Sequence, residues 1–182
     1  MSQERLGRDD WVKAGLRALA RSGFTALKAD TLAKTLGVSR GSFYWHFADV
    51  EAFHGAVLRR WRQVALDSIV AELEATGGDR WLVLIRRALT ERSTLESAVR
   101  AWAFADERAR AAVDAVDGGR VRHLRKYLVE AGVDPKLAHS RAHILNWAYL
   151  GRSISRRLRT EELEAVIAEV ANLIRLPTRM PG

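Results

Sequence analysis

Residues 29–47, Ala-Asp-Thr-Leu-Ala-Lys-Thr-Leu-Gly-Val-Ser-Arg-Gly-Ser-Phe-Tyr-Trp-His-Phe, constrain the fold more than any other part of this 182-residue chain. They read as two short helices around a tight turn. Gly37 suits the end of the first helix, because glycine enters the left-handed conformation without a Cβ penalty. Val38 then returns an apolar side chain to the core, and Ser39 is a good N-cap for the second helix. On that helix Phe43 and Phe47 are four apart, share one face and must be buried. Gly41, Ser42, Tyr44 and Trp45 lie away from that face. Helix–turn–helix units dock such a second helix in the major groove of DNA, with its N-terminal residues nearest the base edges.

The residues left outside have chemistry suited to that groove. Arg40 can pair with a phosphate or bidentately with guanine. Gly41 has no side chain, so backbone can approach a base edge. Tyr44 and Trp45 combine apolar area with a polar tip, which suits a thymine methyl or a phosphate. His46 reaches a phosphate more readily than a base. Ser39, Arg40, Gly41, Ser42, Tyr44, Trp45 and His46 are therefore the candidate DNA contacts. A Tyr-Trp-His run would ordinarily mean core packing, but Phe43 and Phe47 already occupy the core face. Arg5 and Arg8 precede the first helix and read either as further backbone or minor-groove contacts or as a solvated tail.

The run Gly37–Phe47, one helix (about residues 9–22) in from the N-terminus, resembles the signature of the TetR family of one-component transcriptional regulators. The specific motif covers residues 10–60, and beyond it the resemblance is one of helix pattern and length. The family often has a lysine opening its fourth helix, touching a phosphate, where this chain has Val50. It often has Thr or Ser near the start of its second helix, where this chain has Lys28. Lysine there can still meet a phosphate, so Lys28 joins the candidates, whereas Val50 cannot. The resemblance implies a dimer on a palindromic DNA operator, with the last two helices of each subunit forming a four-helix interface.

Charge agrees with a polyanionic partner without proving one. The chain has 30 Lys and Arg against 22 Asp and Glu, a net of +8. Residues 1–62 hold 11 basic and 6 acidic residues, so +5 of the excess lies in the third of the chain that carries the motif. There is no cysteine, which excludes disulfides, thiol redox sensing and thiolate metal sites. Residues 1–10 are polar and lack the apolar core of a signal peptide. No apolar run approaches the roughly 20 residues that span a bilayer. A cytoplasmic protein without a membrane partner is expected.

Strand signals are nearly absent, and helical periodicity continues almost to the C-terminus. The expected class is all-α: a helix–turn–helix domain over residues 1–50, joined through a long helix to a bundle over 51–182, about nine helices in all. Ser22-Gly23 stops the first helix. Asp49 caps a fourth that runs to about Ala75, where Thr76-Gly77-Gly78 breaks it and Asp79 caps the next. Ser93-Thr94-Leu95-Glu96 fits a capping box. Gly118-Gly119 marks a bend or break, and Gly132 an end. Asp134-Pro135 is a cap followed by proline at the first helical position. Thr160 starts the last helix, and Pro177 prevents its extension.

Within 51–182 two further sites are expected. Leu137, Ile144, Leu145 and Ala148 form one apolar stripe, and Leu163, Val166, Ile167, Val170, Leu173 and Ile174 another. The expected dimer interface is Leu137, Ile144, Leu145, Ala148, Val166, Ile167, Val170 and Ile174, although two such stripes can also close an intramolecular bundle. Central aromatics exceed what a small bundle needs, so a largely apolar small-molecule effector is expected near Trp81, Trp102, Phe104 and Trp147, oriented by polar groups such as Arg100, His123 and Asn146. Ordinary packing explains each of these residues equally well. His139 and His143 are spaced as metal ligands can be, but read better as a surface or dimer-flank pair. No metal, cofactor or catalytic residue is expected: the chain has no Gly-rich phosphate loop and no nucleophile elbow. A helical DNA-binding or membrane-surface protein without effector control, or a helical enzyme, are the competing classes.

Overall fold

The cap signals place the helices. In the computed structural model, residues 6–75, 80–90 and 93–175 are described, with the side chains of 68–75, 80, 81, 84, 153, 154, 174 and 175 outside that description. Among the described residues there are nine α-helices, one 3-10 turn and no strand. They are α1 (Arg8–Ser22), α2 (Ala29–Leu36), α3 (Arg40–Tyr44), α4 (Val50–Ala75), α5 (Arg80–Thr90), α6 (Thr94–Ala103), α7 (Glu107–Glu130), α8 (Pro135–Ile154) and α9 (Thr160–Arg175). The 3-10 turn is Phe24–Ala26. Asp49 accepts from the Ala52 N–H at 2.6 Å, Ser93 Oγ from Glu96 at 3.1 Å, and Asp134 from Lys136 at 2.7 Å. Each satisfies an N–H that a helix start leaves without an intrahelical partner. Gly132 ends α7 with φ +89°. Thr76–Asp79, Pro177 and Arg5 lie outside the described residues.

Two compact units divide the chain: residues 1–65 with 93–115, and residues 66–92 with 116–182. The boundary falls inside α4 and inside α7. The unit that holds the helix–turn–helix is thus larger than residues 1–50, since it includes α6, which packs on α1. Its core is aromatic. Phe43 touches Trp11 (ring centroids 5.4 Å), Phe47 (5.2 Å) and Phe53 (5.3 Å), and all four rings are buried. Gly15 of α1 lets Phe53 approach: a Cβ there would lie 2.6 Å from Phe53 Cζ.

The second unit is aliphatic. Ile85 and Leu89 of α5, Val121 and Leu128 of α7, Ala142 and Leu145 of α8, and Ile167 and Ala171 of α9 form one buried cluster. The expected break at Gly118-Gly119 does not occur, and α7 runs through both residues. Gly119 is buried, and a Cβ on it would meet Leu66 Cδ2 at 2.6 Å. The glycine serves the close approach of α7 to Leu66, and the surrounding helix supplies the hydrogen bonds that glycine alone disfavours.

Candidate nucleic-acid interface

The turn between α2 and α3 forms as its residues dictate. Gly37 is left-handed (φ +70°, ψ +29°), and the Val38 N–H returns to the Ala33 carbonyl at 3.0 Å. Ser39 occupies the N-cap position of α3, but its hydroxyl makes no capping bond. The helix itself is shorter than its apolar spacing suggests and ends at Tyr44. Trp45 and His46 continue as a turn, held by bonds from the His46 and Phe47 N–H groups to the Phe43 carbonyl at 3.0 and 3.1 Å. That turn keeps Phe43 and Phe47 on the core side although the helix has stopped.

Burial separates the two faces. Phe43 and Phe47 are enclosed, whereas Tyr44 is exposed and Trp45 is 88% exposed. The two rings thus lie on the open side of the turn, accessible to a partner surface. Arg40 is exposed beside them. Its guanidinium donates to the Tyr44 hydroxyl at 3.3 Å and lies 3.3 Å from an Asp30 carboxylate oxygen on α2. The Tyr44 bond, then the Asp30 charge, push the Arg40 pKa up, so its charge is secure. Gly41 is also exposed, and a Cβ there would meet only Ser39 Oγ at 3.8 Å. Internal packing therefore does not require glycine at 41.

Lys28 stands exposed at the N-cap of α2, a helix end whose N–H groups and dipole favour an anion. Val50 is the first residue of α4. Arg8 is no tail residue: it opens α1, and its guanidinium lies 4.8 Å from the Phe47 ring centroid. Sequence reasoning left Arg8 undecided because nothing local reveals its long-range ring partner.

Residues 12–57 match the model of bacterial regulatory proteins of the tetR family. This stretch is a TetR-family DNA-binding domain. The TetR-like fold extends over nearly the whole chain. The reduced form of E. coli NemR is similar at 26% identity and TM-score 0.74, over 94% of this chain and 98% of that one. A Rhodococcus sp. protein classed as a TetR-family transcriptional regulator matches at 22% identity and TM-score 0.67, covering 96% and 100%. A Saccharomonospora viridis protein classed as a transcriptional regulator, solved with choline, matches at 18% identity and TM-score 0.68, covering 91% and 95%. No curated protein matches the sequence. The chain accordingly carries a TetR-family DNA-binding domain within a TetR-like fold.

The residues expected around an effector fall in both units. Trp102 is buried in the first unit, stacked on Phe24 (4.5 Å) and edge-on to His54 (5.3 Å). Arg100, on the same helix, is ion-paired with Glu96 at 2.7 Å, and Phe104 is 88% exposed just beyond it. These three residues belong to the first unit. In the second unit His123 is half-buried, Trp147 is 63% exposed, and the Trp81 side chain lies outside the described residues. Asn146 is buried on α8, and its Oδ1 has no hydrogen-bond partner among the described residues. Three residues along α8 from it, the Tyr149 ring lies 4.8 Å beneath the buried Arg120 guanidinium.

The apolar stripes of α8 and α9 also divide. Leu145 and Ile167 belong to the chain's own core, Ile167 fully enclosed, so neither forms an outer surface. Each helix is apolar around more than half of its circumference, and spacing alone cannot say which part turns inward. Ile144 (55% exposed) and Val166 remain outside, with Leu137, Ala148 and Val170 partly so. Trp147 on α8 and Leu173 on α9 are exposed as well. The Ile174 side chain lies outside the described residues. Among the described residues no helix is long and apolar enough to cross a membrane.

Proposed function

We propose that the protein is a cytoplasmic repressor that binds a palindromic operator as a homodimer and is released by a small molecule. The observation that carries the reading is the split of one short segment into buried Phe43 and Phe47 and exposed Arg40, Tyr44 and Trp45. Arg40, Gly41, Tyr44 and Trp45 meet base edges in the major groove, while Lys28, Ser39, Ser42 and His46 meet phosphates and set the register. One such unit reads few base pairs, so two half-sites about one turn, ~34 Å, apart are read by a two-fold dimer.

The dimer forms through the outward apolar residues of the last two helices, Ile144 and Trp147 on α8 and Val166, Val170 and Leu173 on α9. The effector sits within the second unit, largely in apolar surroundings, and donates a hydrogen bond to Asn146 Oδ1, an acceptor costly to leave buried and unpaired. The choline-bound neighbour supports a small organic ligand. Effector binding favours a geometry of α4 in which the two reading heads no longer match the half-site spacing. Selection of bound fragments from random DNA tests the reading. An enriched palindrome is the expected result; sequence-indifferent, salt-sensitive binding would overturn it and favour an architectural protein.

A further inference from the structure

We infer that His139 and His143 of α8 form a binding site for a late first-row divalent metal ion. One helical turn apart, the two imidazoles have ring centroids 4.7 Å from each other. A cation about 2.0–2.1 Å from one nitrogen of each ring leaves the two centroids roughly 5 Å apart, so the rings already have the separation that chelation needs. Histidines at i and i+4 on one helical face bind zinc in this way elsewhere.

The surroundings leave the nitrogens available. Neither ring has a hydrogen-bond or ion-pair partner among the described residues, while His54, the buried histidine, is committed to the Leu27 carbonyl at 3.0 Å. His139 is exposed and His143 half-buried, so an ion can enter without unfolding the helix. Among the described residues no group of three or more His, Cys, Asp or Glu converges. The chain therefore supplies two ligands, and water fills the remaining positions. Two imidazoles plus oxygen suit Cu²⁺ most strongly, with Zn²⁺ and Ni²⁺ weaker, following the general affinity order for nitrogen sites. The site is independent of the DNA and effector readings.

The structure also supplies a reporter, because the Trp147 ring is 5.6 Å from His143. Titration of the whole protein with Cu²⁺ should quench tryptophan emission in a saturable step, and excess Zn²⁺, which does not quench, should restore it. Replacing one ligand removes the chelate, so His139→Gln and His143→Gln should each weaken binding roughly 100-fold. Both are surface changes on α8, and an unaltered thermal transition confirms that the fold is kept. Trp147→Phe should remove most of the quenching while calorimetry still detects the bound ion. Equal quenching in the His139→Gln/His143→Gln double variant, or no saturable step in the wild-type protein, would overturn the assignment.

Discussion

The first unit sorts its side chains by aromatic identity, whereas the second has to sort nearly identical aliphatic ones. Around α3 the division is sharp: three phenylalanines interlock and the neighbouring tyrosine and tryptophan face solvent. In α8 and α9, Leu145 is enclosed beside an exposed Ile144, and Ile167 beside an exposed Val166. Adjacent positions on a helix are about 100° apart, so a modest rotation would exchange their roles. A glycine turn and a ring cluster fix rotation in one region. In the other, only the summed packing of four helices does so.

The sharpest way to break that contrast is to exchange inward and outward neighbours. Phe43→Ala removes the centre of the ring cluster and should cost about 3–5 kcal/mol in chemical denaturation. Tyr44→Ala should stay within about 0.5 kcal/mol while still weakening DNA binding. In the second unit, Ile167→Glu places an unpaired carboxylate in the core, and the protein should lose its cooperative thermal transition. Leu173→Glu, with Ile144→Glu, should instead leave a folded chain that sediments as a monomer. A folded monomer from Ile167→Glu, or a dimer from the outer pair, would reverse the proposed assignment of faces.

Glycine substitutions sharpen the same comparison at smaller scale. Gly15→Ala overpacks against Phe53 and should cost about 1–3 kcal/mol. Gly41→Ala meets no such obstacle and should gain up to about 1 kcal/mol from helix propensity, yet lose operator affinity if the backbone approaches a base edge. The smallest expected effect is at α4: Val50→Lys adds one phosphate contact per half-site and should steepen the log–log salt dependence by about 0.9 for each. An unchanged slope would show that residue 50 does not reach the DNA backbone.

What could be read from sequence follows the same divide. The α2–turn–α3 segment was legible because Gly37 and the Phe43/Phe47 spacing each act locally, as do the caps at Asp49, Ser93 and Asp134. The early end of α3 was not, since Tyr44 to Phe47 keep apolar spacing while leaving the helix. Gly118-Gly119 misled because a glycine pair signals a break locally, whereas its use here is set by Leu66, far away in sequence. The surroundings of Trp102 were equally hidden: its ring partners Phe24 and His54 come from elsewhere in the chain, which composition does not reveal.

The central claim is that the outward face of α3 reads DNA while the inward face only holds it. The direct measurement is the affinity of the Arg40→Ala/Tyr44→Ala/Trp45→Ala variant for the palindrome selected by the wild-type protein, at one fixed salt concentration and with matched unfolding curves. The account predicts a fall to the level of random DNA, roughly 10³-fold or more, in a protein as stable as the original. Undiminished affinity in that folded variant would contradict it.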